Sequence, residues 1–375
     1  MRSEGVTTPF GNADVAVVGG GVIGLATAWR VRQRGLDVVV ADRGDLGQGA
    51  SRAAAGMLAP VAEADLQERE LLAANLESAR RWPAFAAELA EATGIDVGLR
   101  TCGTLLLGRD RDGAEHVDRE RDARERLGLP VRRLLGSQAR RLEPALAPGL
   151  RLALELPDDH AVEPARLVAA LVRACTDSGV RLHPHTEVTD LAALPAERVV
   201  VAAGAWSAGL GPVPVRPVKG QALRLRDPAG PGLCDRVLRW GPPTPGYLVP
   251  RGDGRYYLGA TMEERGFDTA VTALGVYELL REAGEVVPGL LELEIDEAFS
   301  GLRPGTPDNA PVIGPDPDDP RIVWATGHFR NGILLCPITA DLVVGALTGE
   351  APPGAFGRGR FGAERPAAAV QGGAP

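Results

Sequence analysis

The stretch DVAVVGGGVIGLATAWRVRQRGLDVVVADRG, residues 14–44, predicts a strand, a tight turn, a helix and a second strand. Directly after the first apolar run, Gly19, Gly21 and Gly24 form the pattern G-x-G-x-x-G. The first glycine permits the turn, the second lets a pyrophosphate approach the backbone, and the third lets helix and strand pack closely. Asp42 ends the second strand, where a carboxylate can accept hydrogen bonds from the ribose of an adenosine. The stretch therefore predicts a Rossmann-type α/β unit that binds a dinucleotide, although it does not separate NAD from FAD.

A second run of small residues, GASRAAAGMLAPVAEA at residues 49–64, favours a flavin. Ser51 is predicted to be the N-cap of the helix that this run opens. Residues 53–56 have almost no side chains, so a flat ring or a ribityl chain could lie against their backbone. The alternative is a tight contact between two helices, which composition alone does not exclude.

The chain has 375 residues, which is long for one compact core and predicts two closely joined domains. Helical periodicity is present over residues 64–92 and at about 270–285, a further α/β unit is predicted at 163–183, and residues 198–207 are predicted to form a buried strand that ends in a glycine turn. Alternating segments after residue 212 predict an antiparallel sheet. We therefore predict a discontinuous Rossmann-type domain with an inserted α+β substrate domain built on an antiparallel sheet. The predicted boundaries are 13–84, 145–211 and 301–350 for the nucleotide-binding domain, 85–144 and 212–300 for the substrate domain, and 1–12 and 354–375 for disordered ends.

Composition limits the classes of partner. The net charge is −8, so the chain has no electrostatic basis for binding nucleic acid. The apolar runs are far shorter than the roughly 20 residues of a membrane-spanning helix, and residues 1–12 lack the apolar core of a signal peptide. The four cysteines form no C-x-x-C pair, and the five histidines have no metal-ligand spacing. We expect a cytoplasmic protein with reduced thiols that binds no metal, membrane or nucleic acid.

Eight segments together indicate a known family. In chain order they are the glycine fingerprint, AAAGMLAP with Glu63 just after it, VVVAAGAWS, PVKG, YLVPR, LGATM, GLRPGTPDNAPVIG and GHFRNGILLCP. They resemble the FAD-dependent amino-acid oxidases related to D-amino-acid and sarcosine oxidases, and within them the glycine oxidases of thiamin biosynthesis (ThiO type). The resemblance extends over about residues 13–350.

The resemblance implies an enzyme that holds FAD non-covalently and oxidises glycine or a similar small amine to the imine. Hydride passes from the substrate Cα to flavin N5, and O2 then reoxidises the flavin and yields hydrogen peroxide. Water converts the imine to glyoxylate and ammonia, or the imine feeds thiazole synthesis. Members of this branch are often homotetramers, so a homo-oligomer is expected.

Four residues match the substrate site of that family. Arg303 matches the arginine that anchors the substrate carboxylate, and a planar guanidinium can do this through two parallel hydrogen bonds. Tyr247 matches the hydroxyl partner of the same carboxylate. Met262 matches a position that lines the pocket and would keep it dry. Arg330 matches an arginine near the substrate and the flavin.

The FAD site is expected to combine the glycine turn, the small-residue run and the start of the last helix. Gly327 and Gly332 would let the backbone approach the flavin, and a helix N-terminus there would stabilise negative charge on the reduced ring. Val188 matches a position whose backbone lies beside the adenine. The residues expected to hold FAD are Gly19, Gly21, Gly24, Val22, Ile23, Asp42, Ser51, Ala54, Ala55, Gly56, Met57, Val188, Gly204, Trp206, His328, Asn331, Gly332 and Ile333.

Several alternatives stay open at this level. The chain could be a sarcosine or D-amino-acid oxidase of the same fold, a flavin dehydrogenase with another electron acceptor, or a non-catalytic flavin or NAD module. Arg52 replaces a small hydroxyl residue that is usual in the family. Lys219, the single lysine in the sequence, is a structural candidate. Cys336 is expected to pack in the core rather than to bind flavin covalently.

Overall fold

The computed structural model describes residues 11–350 and 354–362. Of the predicted disordered ends, residues 1–10 and 363–375 lie outside the described residues. The expectation of disorder is wrong for residues 354–362. Phe356 is buried, and the guanidinium of Arg358 lies 2.8 Å from a carboxylate oxygen of Asp316. A buried ring and a paired buried charge hold this segment against the last strands.

Strands and helices alternate in the first and last parts of the chain, and strands predominate in between. The strands are β1 Ala13–Val18, β2 Val38–Ala41, β3 Met57–Leu58, β4 Thr104–Gly108, β5 Arg132–Leu135, β6 Leu152–Leu156, β7 His160–Ala161, β8 Arg181–His183, β9 Ala196–Val201, β10 Arg216–Arg226, β11 Val237–Trp240, β12 Gly246–Pro250, β13 Arg255–Gly259, β14 Glu294–Gly305, β15 Val312–Pro315 and β16 Ile322–Thr326. The α-helices are α1 Val22–Gln33, α2 Ala50–Ala53, α3 Arg69–Thr93, α4 Arg111–Arg126, α5 Gly136–Leu142, α6 Pro164–Asp177, α7 Ala273–Val286 and α8 Cys336–Thr348.

The first sheet is the predicted Rossmann-type unit. Its six strands run in the order β15-β16-β9-β1-β2-β8, and every neighbouring pair is parallel except β15 with β16. Strands β1 and β2 are almost wholly buried and rich in valine, as expected where helices cover a parallel sheet. Helices α1, α3, α6 and α8 pack against one another in this core. Because β1, β9 and β16 come from the beginning, middle and end of the chain, the sheet is discontinuous in sequence.

The second sheet has eight strands in the order β14-β10-β13-β12-β11-β4-β6-β5. Its pairs are antiparallel apart from β4 with β11, so the predicted antiparallel sheet is correct with one parallel exception among the described strands. Strand β6 pairs with β4 and β5, although the predicted boundary at residue 145 assigns it to the nucleotide-binding domain. Strand β14 likewise continues in this sheet to Gly305, past the predicted boundary at 301. Hydrogen-bonded strand pairing, rather than position in the chain, therefore decides that β6 and all of β14 belong to the second sheet.

Candidate active site

A cavity of about 680 Å³ lies where the two sheets meet. One end is formed by the carboxyl ends of β1, β2 and β9, where parallel α/β sheets place their ligands. The other end is lined by residues of β10 to β14. The site residues predicted from the sequence line this cavity, except Gly24 and Gly327.

The glycine turn at one end of the cavity has the geometry that the fingerprint predicts. Gly19 has φ +111°, and a Cβ there would lie 2.3 Å from the carbonyl oxygen of Ala202. A Cβ on Gly24 would lie 1.8 Å from the carbonyl oxygen of Gly19. Gly24 therefore does not face the cavity; its lack of a side chain lets α1 pack directly on the turn.

Asp42 holds the same turn from the end of β2. Its Oδ2 accepts the N–H of Gly20 at 2.7 Å, and its Oδ1 accepts the N–H of Gly44 at 2.8 Å. Each carboxylate oxygen retains a lone pair, so the group can still accept from a ribose hydroxyl. The guanidinium of Arg43 lies 3.8 Å from the ring of Trp206, which itself stacks on Phe267.

Ser51 is not the N-cap that the sequence predicts. Helix α2 begins at Ala50 after Gly49, and the Ser51 hydroxyl instead accepts the N–H of Val22 at 3.0 Å. This satisfies one of the free donors at the start of α1. The serine thus joins the small-residue run to the glycine turn, a contact across the fold that local sequence does not reveal.

The small-residue run lies between the cavity and the second sheet. A Cβ on Gly301 of β14 would be 2.2 Å from the Cβ of Ala53, and the hydroxyl of Tyr257 donates to the carbonyl of Ala53 at 2.7 Å. The sequence left open a tight contact between two helices; the structure instead packs Ala53 against strand β14, and Ala53 also lines the cavity. Arg52 is exposed and forms an ion pair with Glu297 at 2.6 Å, and it does not line the cavity.

The segment before α8 is a turn rather than the first residues of the helix. Helix α8 begins at Cys336, later than the sequence suggests, and the N–H of Leu335 donates to the carbonyl of Asn331 at 2.8 Å. Within the described part of the chain, the N–H groups of Gly332 and Ile333 donate no hydrogen bond. Both residues line the cavity, so free backbone donors face it as at a helix N-terminus.

His328 supports this turn from within the core. Its Nε2 lies 3.0 Å from the hydroxyl of Thr339, and burial lowers the pKa of the imidazole to about 3. The ring is therefore neutral at physiological pH and holds the turn through a hydrogen bond rather than a charge.

Arg303 projects from β14 into the other end of the cavity. Its Nη1 donates to the carbonyl of Thr261 at 3.1 Å, and Gly220 on the neighbouring strand leaves room for the guanidinium. No carboxylate among residues 11–350 and 354–362 forms an ion pair with it. A half-buried cation held by neutral partners retains the capacity to bind an anion.

Tyr247 and Met262 lie near this end in different settings. The ring of Tyr247 is parallel to that of Tyr257, with centroids 6.0 Å apart. Met262 lines the cavity but is 64% exposed. The expectation that Met262 forms a dry wall is therefore wrong for this structure: it lies at the rim, because the loop after β13 runs over the surface.

Two charged residues of the cavity were not assigned a role from the sequence. Glu63 lies between two guanidiniums, 2.6 Å from Nη1 of Arg239 and 3.2 Å from Nε of Arg330. Burial alone would raise the pKa of Glu63, but the charges of Arg239 and Arg330 lower it to about 2. Glu63 lies three residues after the end of the motif AAAGMLAP, and this proximity could have indicated a role for it. Arg239 had no such signal, since arginines are frequent throughout this chain.

Lys219 and Cys336 are structural in this fold. The ammonium of Lys219 is buried, 3.4 Å from Asp268 and 3.8 Å from Glu263. The thiol of Cys336 is buried against the carbonyl of Val22, and all four cysteines are free thiols.

No helix within residues 11–350 and 354–362 has the length and apolar character needed to cross a bilayer. The same residues contain no cluster of three or more histidine, cysteine or acidic side chains that could hold a metal ion.

Comparisons with known proteins agree with this geometry. The family described as DAO, FAD dependent oxidoreductase, matches residues 14–346. The chain is 38% identical to a glycine oxidase from Geobacillus kaustophilus, over 88% of this chain and 91% of that protein. It is 37% identical to a bifunctional protein ThiO/ThiG from Synechocystis, over 88% of this chain but 51% of that protein. The crystal structure of glycine oxidase from Geobacillus kaustophilus superposes with a TM-score of 0.87 at 36% identity, covering 93% of this chain and 98% of that one.

Proposed function

Because the chain belongs to the FAD-dependent oxidoreductase family, we propose that it is an oxidase of glycine and similarly small amines. The observation that supports this most directly is the position of Arg303, a guanidinium without a carboxylate partner among the described residues, in the cavity that also contains the dinucleotide turn. The substrate class fits because an amino acid brings one carboxylate to that guanidinium.

The residues of the cavity fit FAD. Gly19 and Gly56 both line the cavity, and a Cβ at either would collide with a backbone carbonyl oxygen, so no side chain can be accommodated at these two points of the lining. Asp42 would accept from the ribose, and the start of α1 would receive the pyrophosphate. The N–H groups of Gly332 and Ile333 would face the part of the flavin ring that becomes negatively charged on reduction. The buried thiol of Cys336 bonds to a backbone carbonyl, in keeping with non-covalent binding.

When bound, FAD supplies the hydride acceptor and passes the electrons to O2, which yields hydrogen peroxide. The protein's part is to hold the substrate Cα at the flavin with its amine neutral. Arg303 would bind the carboxylate through two hydrogen bonds, and the Tyr247 hydroxyl would donate a third. Arg330 would stand beside the substrate, with Glu63 limiting its movement. The imine product would then be hydrolysed to glyoxylate and ammonia.

We further propose that the imine serves thiazole formation in thiamin biosynthesis. The Synechocystis relative named ThiO/ThiG joins a segment similar to this chain to a second segment in one protein. A cytoplasmic homo-oligomer, by analogy with the ThiO-type oxidases, is part of the same proposal.

The direct test is anaerobic addition of glycine to the purified yellow protein, followed at the flavin absorption band. Rapid bleaching by glycine, with hydrogen peroxide formed when O2 is admitted, is the expected result. Sarcosine and D-alanine are measured in parallel, since stronger bleaching by either would move the assignment to that amine. A protein that binds flavin but is not bleached by any of the three would contradict the proposed activity.

A further inference from the structure

Two buried polar side chains, Asp159 and Arg124, hold the backbone just before Glu63. Asp159, which has no exposed surface, accepts the N–H of Val61 through Oδ1 and the N–H of Ala62 through Oδ2, both at 2.9 Å. Arg124, which is 3% exposed, donates from Nε to the carbonyl of Val61 at 3.0 Å and from Nη2 to the carbonyl of Ala62 at 2.8 Å. The N–H and C=O groups of two consecutive residues are thus bound by side chains from outside the segment.

The two side chains come from separate elements of the second sheet's layer. Arg124 lies in the last turn of α4, where its Nη1 pairs with Glu120 at 2.5 Å, and Asp159 lies in the turn between β6 and β7. Burying a charge is costly unless hydrogen bonds and opposite charges compensate for the lost water. Burial raises the pKa of the Asp159 carboxyl to about 7, although the N–H groups of Val61 and Ala62 act in the opposite direction. Each side chain makes two hydrogen bonds to the backbone of residues 61 and 62, so together they fix the position of that backbone.

Glu63 is the next residue, and its carboxylate contacts the cavity. It is held between Arg239 and Arg330, and all three side chains line the cavity. Arg330 is 42% exposed, and Glu63 is the carboxylate that pairs with it among the described residues. A displacement of the backbone at residues 61 and 62 would therefore move Glu63 and, through the ion pair, Arg330.

We propose that Asp159 and Arg124 are positioning residues for the oxidation, acting through Glu63 on Arg330. This inference rests on the proposed function for the identity of the reaction. Neither side chain lines the cavity, so neither is expected to touch substrate or flavin. Their effect is to keep the Glu63 carboxylate at the distance at which it restrains Arg330.

The test is a set of variants of the FAD-loaded enzyme, Asp159→Asn, Arg124→Gln and Glu63→Gln, assayed for peroxide formation from glycine. Asparagine keeps the shape of Asp159 but offers one acceptor instead of two. We expect kcat/KM for glycine to fall about tenfold or more in each, since small misplacements of positioning groups are costly. The FAD content should stay that of the wild type. Asp158→Asn, at an exposed neighbour, and Arg121→Gln, on the same helix, should keep wild-type kcat/KM.

A double variant separates positioning from general damage to the fold. If Asp159 acts through Glu63, then Asp159→Asn combined with Glu63→Gln should be scarcely slower than Glu63→Gln alone. The proposal would be overturned if the fold-loss of kcat/KM in the double variant equalled the product of the losses in the two single variants. A wild-type kcat/KM in Asp159→Asn would overturn it as well. Should Asp159→Asn not fold, Arg124→Gln with Glu63→Gln gives the same comparison.

Failure of the proposed activity can be told apart from failure of this inference. If glycine does not bleach the wild-type flavin, acetate is titrated instead and its binding is followed through the flavin spectrum. Arg330 lines the same cavity as Arg303, so a displaced Arg330 guanidinium would attract a bound carboxylate less strongly. Weaker acetate binding in Asp159→Asn and Arg124→Gln, but not in Asp158→Asn or Arg121→Gln, would support the positioning role. Equal binding in all of them would overturn it.

Discussion

A Cβ atom at Gly220 would lie 2.4 Å from Nη1 of Arg303, so the guanidinium occupies the space that this glycine leaves free. Gly220 is in β10 and Arg303 is in β14, two neighbouring strands of the second sheet. The glycine therefore determines where the proposed carboxylate anchor lies. It was not among the residues expected to form the substrate site.

Gly220→Ala should displace the Arg303 guanidinium without unfolding the protein, because the contact is with the end of a flexible side chain. We expect KM for glycine to rise about 10- to 100-fold. Steady-state kinetics and thermal unfolding measure the two effects separately. Gly149→Ala, where a Cβ would meet nothing within 4 Å, is the matched control. An unchanged KM in Gly220→Ala would show that the substrate does not depend on the present position of Arg303.

Arg303→Ala should remove the carboxylate anchor. Truncating one partner of a buried charge pair costs about 2–5 kcal/mol, which corresponds to a fall in kcat/KM of about 30- to 4000-fold. Arg303→Lys should recover only part of the loss, since an ammonium cannot form the planar bidentate pair. The FAD content should not change, because the cofactor turn is at the other end of the cavity. Arg226→Ala, at an exposed position on β10, should have wild-type kinetics. Loss of flavin in Arg303→Ala would contradict this assignment of roles.

Gly24→Ala should impair FAD binding although Gly24 does not face the cavity. The added Cβ would lie 1.8 Å from the carbonyl of Gly19, so α1 must move away from the glycine turn. Overpacking of this kind costs about 1–3 kcal/mol. We expect a lower melting temperature and a lower flavin-to-protein ratio after purification. Gly359→Ala adds the same methyl group where nothing lies within 4 Å and should change neither quantity.

His328 should make the folded protein sensitive to mild acid. Burial lowers its pKa to about 3, so the unfolded chain binds a proton at higher pH than the folded chain does. The stability from the neutral ring is complete above the unfolded pKa of about 6.5 and is lost as pH falls towards 3. The free energy of unfolding should fall by up to about 1.4 kcal/mol per pH unit in that window.

Denaturant unfolding of the FAD-saturated protein between pH 7 and pH 5 measures this slope. His328→Gln should be less stable than the wild type at pH 7, yet its stability should depend less on pH. His185→Gln, at an exposed imidazole, should leave the wild-type slope in place. An unaltered slope in His328→Gln would mean that other groups cause the acid sensitivity.

Much of the fold and of the candidate site could be predicted where the signal is local. Gly19, Gly21 and Gly24 follow a buried strand and open a helix, so spacing alone predicted their turn. The family resemblance then predicted that Arg303 and Arg330 belong to the site, although composition does not distinguish them from the other arginines. The structure places both around the same cavity as the glycine turn.

The predictions from sequence that are wrong concern residues whose environment depends on segments far away in the chain. Ser51 has the residue type of an N-cap, but its hydroxyl bonds to Val22 of another helix. Strand β6 belongs to the second sheet because of its partners β4 and β5, which no local pattern specifies. Met262 has an apolar side chain, yet it lies exposed at the rim of the cavity.

The sequence by itself determined the Rossmann-type unit, the antiparallel layer and the dinucleotide-binding turn, because the spacing of glycines and apolar residues dictates backbone conformation locally. Only the tertiary structure decided that Glu63 lies between Arg239 and Arg330, and that Asp159 and Arg124 hold the backbone before it. These contacts join charged side chains to partners that lie far apart from them in the chain. Charge pairing has no period and no preferred sequence separation, so it becomes visible only when the folded sheets bring the partners within a few ångströms.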